Sequence, residues 1–241
     1  MKKAALITGA SGGIGFSIAE KLANEGYSLY LHFNKNTQAA DKLKVRLGDK
    51  KSSVKWVQAD LSLLDGVSSL LDQINEEIDV IIHNSGKSHF GLITDICTEQ
   101  VQEMVQLHVT SPFLITKALL PKMIENKRGN IVVISSIWGL TGASCEVLYS
   151  TVKGAQNTFV KALAKEVAPS GIRVNGIAPG AIDTNMLNDF SREEIVQLSN
   201  EIPLGRIGVP HEIAEAVAFL ISSRSSYITG QILSVNGGLY C

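Results

Sequence analysis

Short apolar segments alternate with amphipathic ones along most of the chain. The apolar runs predict strands at residues 4–8, 28–33, 53–58, 78–83, 131–135, 172–178 and 231–235. Apolar residues that recur every three or four positions predict helices after residue 15 and at 37–47, 63–74, 99–125, 147–160 and 210–222. Apolar strands separated by amphipathic helices are typical of a parallel sheet covered on both faces. The pattern therefore predicts an α/β fold with a doubly wound parallel sheet in three layers.

The length and composition are those of one packed domain. The chain has 241 residues, of which 45% are hydrophobic and 19% charged, as expected for a single α/β domain. We find no linker or long repeat, so we predict one domain over residues 1–241. The pattern loosens at 183–207, which predicts a mobile lid over a substrate.

Charge and cysteine content exclude several classes of function. A net charge of -1 provides no basic face for nucleic acid or membranes. Without a signal-peptide core or an apolar span of membrane length, we expect a cytoplasmic protein. Cys97, Cys145 and Cys241 are far apart, which predicts free thiols and no metal site.

A glycine-rich loop follows the first predicted strand. Residues 9–15 contain four glycines, and a helical pattern begins directly after them. In a strand–loop–helix unit, backbone N–H groups and the helix dipole converge on a phosphate, and glycine lets the ligand approach closely. The segment therefore predicts a Rossmann-type site for a dinucleotide.

The end of the second strand bears on the choice of dinucleotide. In a Rossmann unit, an acid about 20 residues after the glycines binds the ribose 2′-hydroxyl and disfavours a 2′-phosphate. Here residues 32–36 contain no acid and one lysine, Lys35. This end favours NADPH over NADH, and the alternative is that Lys35 is only a solvated loop charge.

Polar and glycine residues also follow several later strands. Ligands of such sheets bind at the carboxyl ends of the strands, which share one edge. The residues at this edge are Asp60, Asn84, Ser85, Gly86, Ser136, Pro179 and Gly180. We expect one cleft to collect them.

Three residues in the middle of the chain form a candidate catalytic set. Tyr149 and Lys153 lie four positions apart in the helix predicted at 147–160, so their side chains share one face. A nearby ammonium is expected to lower the tyrosine pKa from about 10, which predicts an acid–base pair. Ser136 follows the strand at 131–135, where its hydroxyl can hold a carbonyl oxygen beside the phenol. The Tyr–Lys spacing alone is also common on exposed helix faces.

Taken together, these motifs resemble the classical short-chain dehydrogenase/reductase family from Lys3 to Tyr240. The matching motifs are Thr8-Gly9-x-x-x-Gly13-x-Gly15, Asn84-Ser85-Gly86, Ser136 with Tyr149-x-x-x-Lys153, and Pro179-Gly180. Within the family, the closing segment 230–238 and the missing acid look most similar to the 3-oxoacyl-[acyl-carrier-protein] reductases. The resemblance implies hydride transfer from a nicotinamide to a ketone, and a homotetramer.

The resemblance implies roles for the catalytic set. Tyr149 would give the ketone oxygen its proton, and Ser136 would polarise the carbonyl. Lys153 would lower the tyrosine pKa and hold the nicotinamide ribose. The substrate would contact Ser136, Glu146 and Tyr149.

The resemblance also implies a cofactor site. Asp60 would contact the adenine, Asn84 a cofactor ribose, and Thr184 the nicotinamide amide. The implied cofactor-binding residues are Gly9, Ser11, Gly13, Ile14, Gly15, Asn34, Lys35, Asp60, Leu61, Asn84, Gly86, Tyr149, Lys153, Pro179, Gly180, Ile182 and Thr184.

Two smaller departures from the family pattern lie in the cofactor motifs. His83 and Ser85 replace the commoner asparagine and alanine around Asn84, a change that should leave the strand intact. Gly12 stands where many NADPH-preferring relatives have an arginine, which leaves Lys35 as the main support for NADPH.

The largest departure is His108, a candidate catalytic residue. It occupies the position of the family asparagine that links the lysine to water. Beside Lys153 its imidazole is expected to be neutral and able to replace the asparagine through a water. Protonation of His108 would then lower the rate at lower pH. Alternatively, the imidazole fills the kink that Pro112 is expected to produce in the helix at 99–125.

The leading hypothesis is that the protein is an NADPH-dependent 3-oxoacyl-carrier-protein reductase of fatty acid synthesis. Such enzymes commonly dock an acidic carrier protein on basic residues. Lys127 and Arg128 could serve here, whereas Ser170 stands where a second basic group is often seen. A solvated helix end is the alternative for Lys127 and Arg128.

A second hypothesis keeps the chemistry and changes the substrate. The chain also resembles the bacilli's reductases of the 5-aminopentanone attached to a lysine of elongation factor P. Glu146 lies three residues before Tyr149, and a carboxylate there suits a cationic substrate. An outward-facing surface glutamate is the alternative.

A third hypothesis comes from another class of protein. The altered His108 would be compatible with a non-catalytic dinucleotide sensor or scaffold. The presence of Ser136, Tyr149 and Lys153 together argues against this class.

Overall fold

A computed structural model describes residues 3–47, 53–184, 187 and 190–241. At its centre is a seven-stranded sheet with the strand order β3-β2-β1-β4-β5-β6-β7, and all neighbouring strands are parallel. The strands are β1 Ala4–Ile7, β2 Ser28–Phe33, β3 Val54–Gln58, β4 Val80–His83, β5 Gly129–Ile134, β6 Ile172–Pro179 and β7 Ile232–Val235. The predicted doubly wound α/β fold is confirmed.

Helices connect the strands. They are α1 Gly13–Asn24, α2 Thr37–Leu47, α3 Gly66–Leu71, α4 Thr98–Val105, α5 Ser111–Glu125, α6 Trp138–Thr141, α7 Val147–Val167, α8 Arg192–Glu201 and α9 Pro210–Ile221. Within the described ranges, none is long and apolar enough to cross a membrane.

The two faces of the sheet carry separate apolar cores. Alternate side chains of a strand point to opposite faces, so Ile7 of β1 joins one core and Leu6 joins the other. The first core is covered by α1 and α9, through residues such as Ile18 and Val217. The second is covered by α3, α5 and α7. Burial on both faces explains the continuous apolar runs of the strands.

The long helix predicted at 99–125 is divided in the structure. Between α4 and α5 lies one π-helical stretch, Gln106–Thr110, which we call the π segment. Pro112 has no N–H to donate to the carbonyl of His108, four residues earlier in the chain. Helical hydrogen bonding therefore changes beside the proline, as is common at functional sites, and the predicted kink stays a prediction.

The region predicted as a lid contains a helix that the apolar pattern missed. Helix α8 begins with a capping box, in which Ser191 and Glu194 bond to each other's backbone N–H groups. Residues 185, 186, 188 and 189 of the predicted lid lie outside the described residues. The mobility of the lid stays a prediction.

Candidate active site

Candidate residues follow four adjacent strands, β1, β4, β5 and β6, at the carboxyl edge of the sheet, and Tyr149 and Lys153 lie on α7. The side-chain amide of Asn84 donates to the backbone carbonyls of Thr8 and Gly9, at 3.1 and 3.0 Å. The N–H of Ile137 donates to the carbonyl of Pro179 at 3.1 Å. These bonds join the loop after β1 to that after β4, and the loop after β5 to that after β6.

The glycine-rich loop is built to receive a phosphate. Helix α1 has no side-chain hydrogen bond at its Gly12 cap and no acid in its first turn, so its N-terminal N–H groups and dipole face an anion site. Gly9 has a φ of 65°, which favours glycine. These features fit the phosphates of a dinucleotide.

His32 supports this loop, although no local sequence pattern singles it out. Its Nε2 donates to the carbonyl of Ala59 and its Nδ1 accepts from the N–H of Gly9, both at 3.0 Å. Burial lowers the pKa of His32, so the neutral ring is favoured. The Oγ of Ser85 lies 3.3 Å from the same Nδ1.

The departures around Asn84 leave strand β4 intact, as predicted. The hydroxyl oxygen of Thr8 accepts from the backbone N–H groups of Asn84 and Ser85, each at 3.0 Å. His83 is buried, and its Nε2 lies 2.8 Å from the hydroxyl oxygen of Thr116. Burial lowers the pKa of His83 to about 3, so His83 acts as a neutral structural group.

The ends of β2 and β3 bring together the residues predicted to meet the adenosine. A hydrogen bond from the Ser62 hydroxyl is the main reason that the pKa of Asp60 is lowered, and the Asn34 side chain and the charge of Lys35 also contribute. The side chain of Leu61 belongs to the core, so it has only backbone groups to offer a ligand. Phe33 is also buried, with its ring centroid 5.8 Å from that of Trp56.

The residues predicted for the nicotinamide end follow β6. Gly180 lies against Asn236, because a Cβ at Gly180 would be 2.9 Å from Asn236 Cα. Ile182 is buried and forms a bridge with Gly208. Thr184 lies close to the first turn of α1, since a Cβ at Gly13 would come within 3.0 Å of its Cγ2. This segment therefore turns back toward the glycine-rich loop.

The three predicted catalytic residues meet in a buried cluster. The Ser136 side chain lies beside the Tyr149 phenol and acts on its pKa, and both residues are at least nine-tenths buried. Lys153 Nζ lies 5.6 Å from the centroid of the Tyr149 ring. It donates to the carbonyl of Ile134 at 2.9 Å and to Gln156 Oε1 at 3.2 Å. The hydroxyl, the phenol and the ammonium are therefore neighbours, as the spacing predicted.

The predicted lowering of the tyrosine pKa is wrong for this structure. Burial raises the pKa of Tyr149 to about 12 and outweighs the lowering by the Ser136 side chain, while the charge of Glu146 adds to the rise. Burial also lowers the pKa of Lys153 to about 7. At neutral pH Tyr149 is therefore a phenol, the form that can donate a proton to a carbonyl oxygen.

His108 is neutral as predicted. Burial is the main reason that the pKa of His108 lies well below its ordinary value, with the charge of Lys153 the second cause. A lowered pKa moves protonation of the ring to lower pH, and the predicted loss of rate on the acid side stays a prediction. The ring is held by the backbone of Lys87, whose carbonyl lies 3.0 Å from His108 Nε2. The atom of His108 nearest the lysine network is its backbone oxygen, which accepts from Gln156.

Glu146 lies at the same site. Its carboxylate is half-buried and lies beside the side chain of Trp138, and its charge acts on Tyr149. Burial raises the pKa of Glu146. It is not a fully solvated surface glutamate, and a cationic group beside it would offset the cost of burying its charge.

Known proteins resemble this chain over almost its whole length. The model of a family described as enoyl-(acyl carrier protein) reductase matches residues 9–240. An uncharacterised oxidoreductase of Bacillus subtilis is 61% identical over 100% of both chains. The 3-oxoacyl-[acyl-carrier-protein] reductase of Aquifex aeolicus is 36% identical over 99% of this chain and 97% of its own. The chain belongs to the short-chain dehydrogenase/reductase family.

A solved structure of the same family agrees with this assignment. It is an angucycline C-6 ketoreductase with bound NADP, and it superposes with a TM-score of 0.92 at 28% identity, over 98% of this chain and 95% of its own. The present chain is thus an oxidoreductase of the short-chain dehydrogenase/reductase family. The proposed class of non-catalytic sensors is not supported.

The geometry can perform the acid half of a ketone reduction. When bound at the glycine-rich loop, the dinucleotide supplies the hydride. A ketone oxygen placed between Ser136 and Tyr149 would accept a hydrogen bond from the serine and a proton from the phenol. Lys153 adds positive charge where the phenolate then forms. Water is excluded by the burial of all three side chains, which strengthens these interactions.

Cys97, Cys145 and Cys241 are free thiols. Among the described residues, no three histidine, cysteine, aspartate or glutamate side chains are grouped to hold a metal ion.

Proposed function

We propose that this enzyme reduces a ketone attached to another protein, with NADPH as the hydride donor. Ser136 polarises the carbonyl, Tyr149 donates the proton, and Lys153 holds the nicotinamide ribose and stabilises the phenolate. The side chains of Ser136 and Tyr149, which are neighbours at the carboxyl edge of the sheet, support these roles. Relatives named 3-oxoacyl-[acyl-carrier-protein] reductase support a ketone carried on a protein.

Our choice of substrate depends on the half-buried carboxylate of Glu146. A half-buried carboxylate near the proton donor gains nothing from a neutral acyl chain, but it forms a charge-assisted hydrogen bond with an ammonium. We therefore favour the 5-aminopentanone carried on a lysine of elongation factor P.

A 3-oxoacyl group on the acyl carrier protein is the second candidate, supported by the names of the 3-oxoacyl-[acyl-carrier-protein] reductases among its relatives. The basic residues predicted to dock the carrier protein support this candidate less strongly than the relatives' names do. Lys127 and Arg128 precede β5 and therefore lie at the edge of the sheet opposite to Ser136. Ser170, which precedes β6, lies at that same edge. Arg128 also pairs with Asp79, Nε to Oδ1, at 2.9 Å.

The substrate is tested by NADPH oxidation with each carrier protein. We expect efficient reduction of elongation factor P bearing the 5-aminopentanone. Glu146→Gln should raise KM for this substrate about tenfold, equivalent to about 1.4 kcal/mol of lost binding, and should leave KM for a 3-oxoacyl thioester unchanged. Glu166→Gln, an exposed position on the same helix, is the matched control. Efficient turnover of the 3-oxoacyl carrier protein alone would establish the second candidate instead.

The preference for NADPH is also a proposal, based on the absence of an acid after β2 and on Lys35 beside Asp60. Lys35→Glu should lower kcat/KM for NADPH about tenfold or more, because it loses a phosphate contact worth about 1.5–3 kcal/mol and adds repulsion. The value for NADH should change little. Lys161→Glu, exposed on α7, controls for the change in net charge. Equal kcat/KM values of the unaltered enzyme for both cofactors would refute the preference.

We also propose a cytoplasmic homotetramer, as the family resemblance implies. Exposed apolar side chains on α4, α5 and α7 support contact between copies. They are Val101, Val105, Phe113, Leu114 and Val147.

A further inference from the structure

A buried glutamine lies between the catalytic lysine and the π segment. Gln156 is 3% exposed and stands three residues after Lys153 on α7, so the two side chains share one face of the helix. Its Oε1 accepts from Lys153 Nζ at 3.2 Å, and its Nε2 donates to the backbone carbonyl of His108 at 2.8 Å. One amide therefore contacts both groups.

The carbonyl of His108 needs this donor because of the local sequence. In a regular helix it would accept from the N–H four residues later, but that residue is Pro112, which has no N–H. An unpaired buried carbonyl is costly. The π segment thus presents to α7 a carbonyl that has no α-helical donor.

Only a group that both accepts and donates hydrogen bonds can bridge the lysine and this carbonyl. An ammonium only donates hydrogen bonds and a carbonyl only accepts them. A bridging group must therefore accept on one side and donate on the other, which a water or a carboxamide can do. Unlike water, a carboxamide is tethered to its helix, cannot exchange and does not carry protons.

We propose that Gln156 is a positioning residue of the active site, whose amide takes the place of a bridging water between Lys153 and the His108 carbonyl. With Ile134, it engages two of the three N–H groups of the lysine. The third is thereby directed to the cofactor ribose and the Tyr149 side of the site. Protons do not leave Lys153 along this route, so Tyr149 regains its proton by another path.

The amide also bears on the charge of the lysine. Among the described residues, the titratable side chains facing Lys153 are Tyr149 on α7 and His108 on the π segment, while β5 contributes a carbonyl. No carboxylate bonds to Nζ, in agreement with a pKa of Lys153 lowered by burial to about 7. The ammonium form is present below that pH and is lost above it.

Titration of Lys153 by NMR, with lysine labelled at ¹³Cε, tests the proposal without any ketone. Gln156→Glu should raise the pKa of Lys153 by about one unit or more, as expected for an opposite charge at hydrogen-bond distance. Gln156→Leu should lower it, because one acceptor is lost. The Lys153 signal is assigned by its absence from Lys153→Met.

Turnover provides a second readout, measured as NADPH oxidation with the ketone that the enzyme reduces. We expect kcat of Gln156→Leu to fall roughly 10- to 100-fold, as for other small misplacements of a catalytic group. Gln156→Ala should be more active than Gln156→Leu, because the smaller side chain leaves room for a water. In Gln156→Glu, the loss of rate on the alkaline side should move to higher pH.

Asn175→Leu is the matched control for folding. Asn175 is another buried amide, which donates to the carbonyl of Ile228 and accepts from the N–H of Gln231. Its loss should lower thermal stability and leave the titration of Lys153 unchanged. An unchanged titration in folded Gln156→Glu and Gln156→Leu would overturn the proposal. If Gln156→Leu does not fold, the titration in Gln156→Glu decides alone.

Discussion

Replacing Tyr149 by phenylalanine should lower kcat by roughly 10²–10⁴-fold, the usual contribution of a positioned general acid. The substitution keeps the ring in the apolar cluster with Met104, Leu148 and Val152 and removes only the hydroxyl, which lies beside Ser136. Binding of NADPH, measured by fluorescence, should therefore persist. Turnover is measured by NADPH oxidation at saturating ketone.

Tyr30→Phe is the control for this experiment. Tyr30 is also buried and hydrogen-bonded, through Asn75 Oδ1 at 2.6 Å, but it lies in β2 and touches none of the catalytic set. Its loss should change stability and not kcat. Near-normal turnover of Tyr149→Phe would remove the phenol from the mechanism.

Gly15→Ala should weaken both the fold and cofactor binding. A Cβ at Gly15 would overlap the carbonyl oxygen of Gly9 and lie 2.6 Å from Asn84 Nδ2. The loop would have to move away from the amide that holds it, at a cost of about 1–3 kcal/mol for overpacking. We expect a lower free energy of unfolding in urea and a Kd for NADPH raised about tenfold or more, equivalent to at least 1.4 kcal/mol.

Gly12→Ala provides the comparison, because it adds the same methyl group to the same loop. The nearest atom to its Cβ would be the oxygen of Gly9 at 3.5 Å, an ordinary contact, so the free energy of unfolding should change by less than that of Gly15→Ala. Equal losses of unfolding free energy in both variants would show that stability does not depend on the close approach of Gly15 to the Gly9 backbone and to Asn84.

The sequence alone located the site because its residues follow apolar strands. Strand ends can be recognised locally, and parallel strands place their carboxyl ends at one edge, so Asn84, Ser136 and Pro179 could be assigned to one cleft. Helix α8 was missed although its capping box, Ser191 with Glu194, is a local signal. The apolar pattern there was too weak to draw attention to it.

Other features depend on contacts that no local pattern encodes. His32 reaches Gly9 across 23 positions, and Gln156 reaches the His108 carbonyl across 48. The direction of the Tyr149 pKa shift was predicted wrongly, because the spacing to Lys153 is visible in the sequence whereas the depth at which the phenol is buried is not. Desolvation then outweighs the nearby charge.

The strand order has a consequence for biosynthesis. Strand β1 emerges from the ribosome first, yet its Thr8 loop is held by Ile82 and Asn84, at separations of 74 and 76 residues. Neighbouring β2 is made early, but the other flank of β1 stays unpaired until β4 has been translated. At about 5–20 residues per second, several seconds separate synthesis of the glycine-rich loop from the arrival of the strand that fixes it. The dinucleotide is therefore expected to bind late, and a chain arrested before β4 should be a substrate for chaperones.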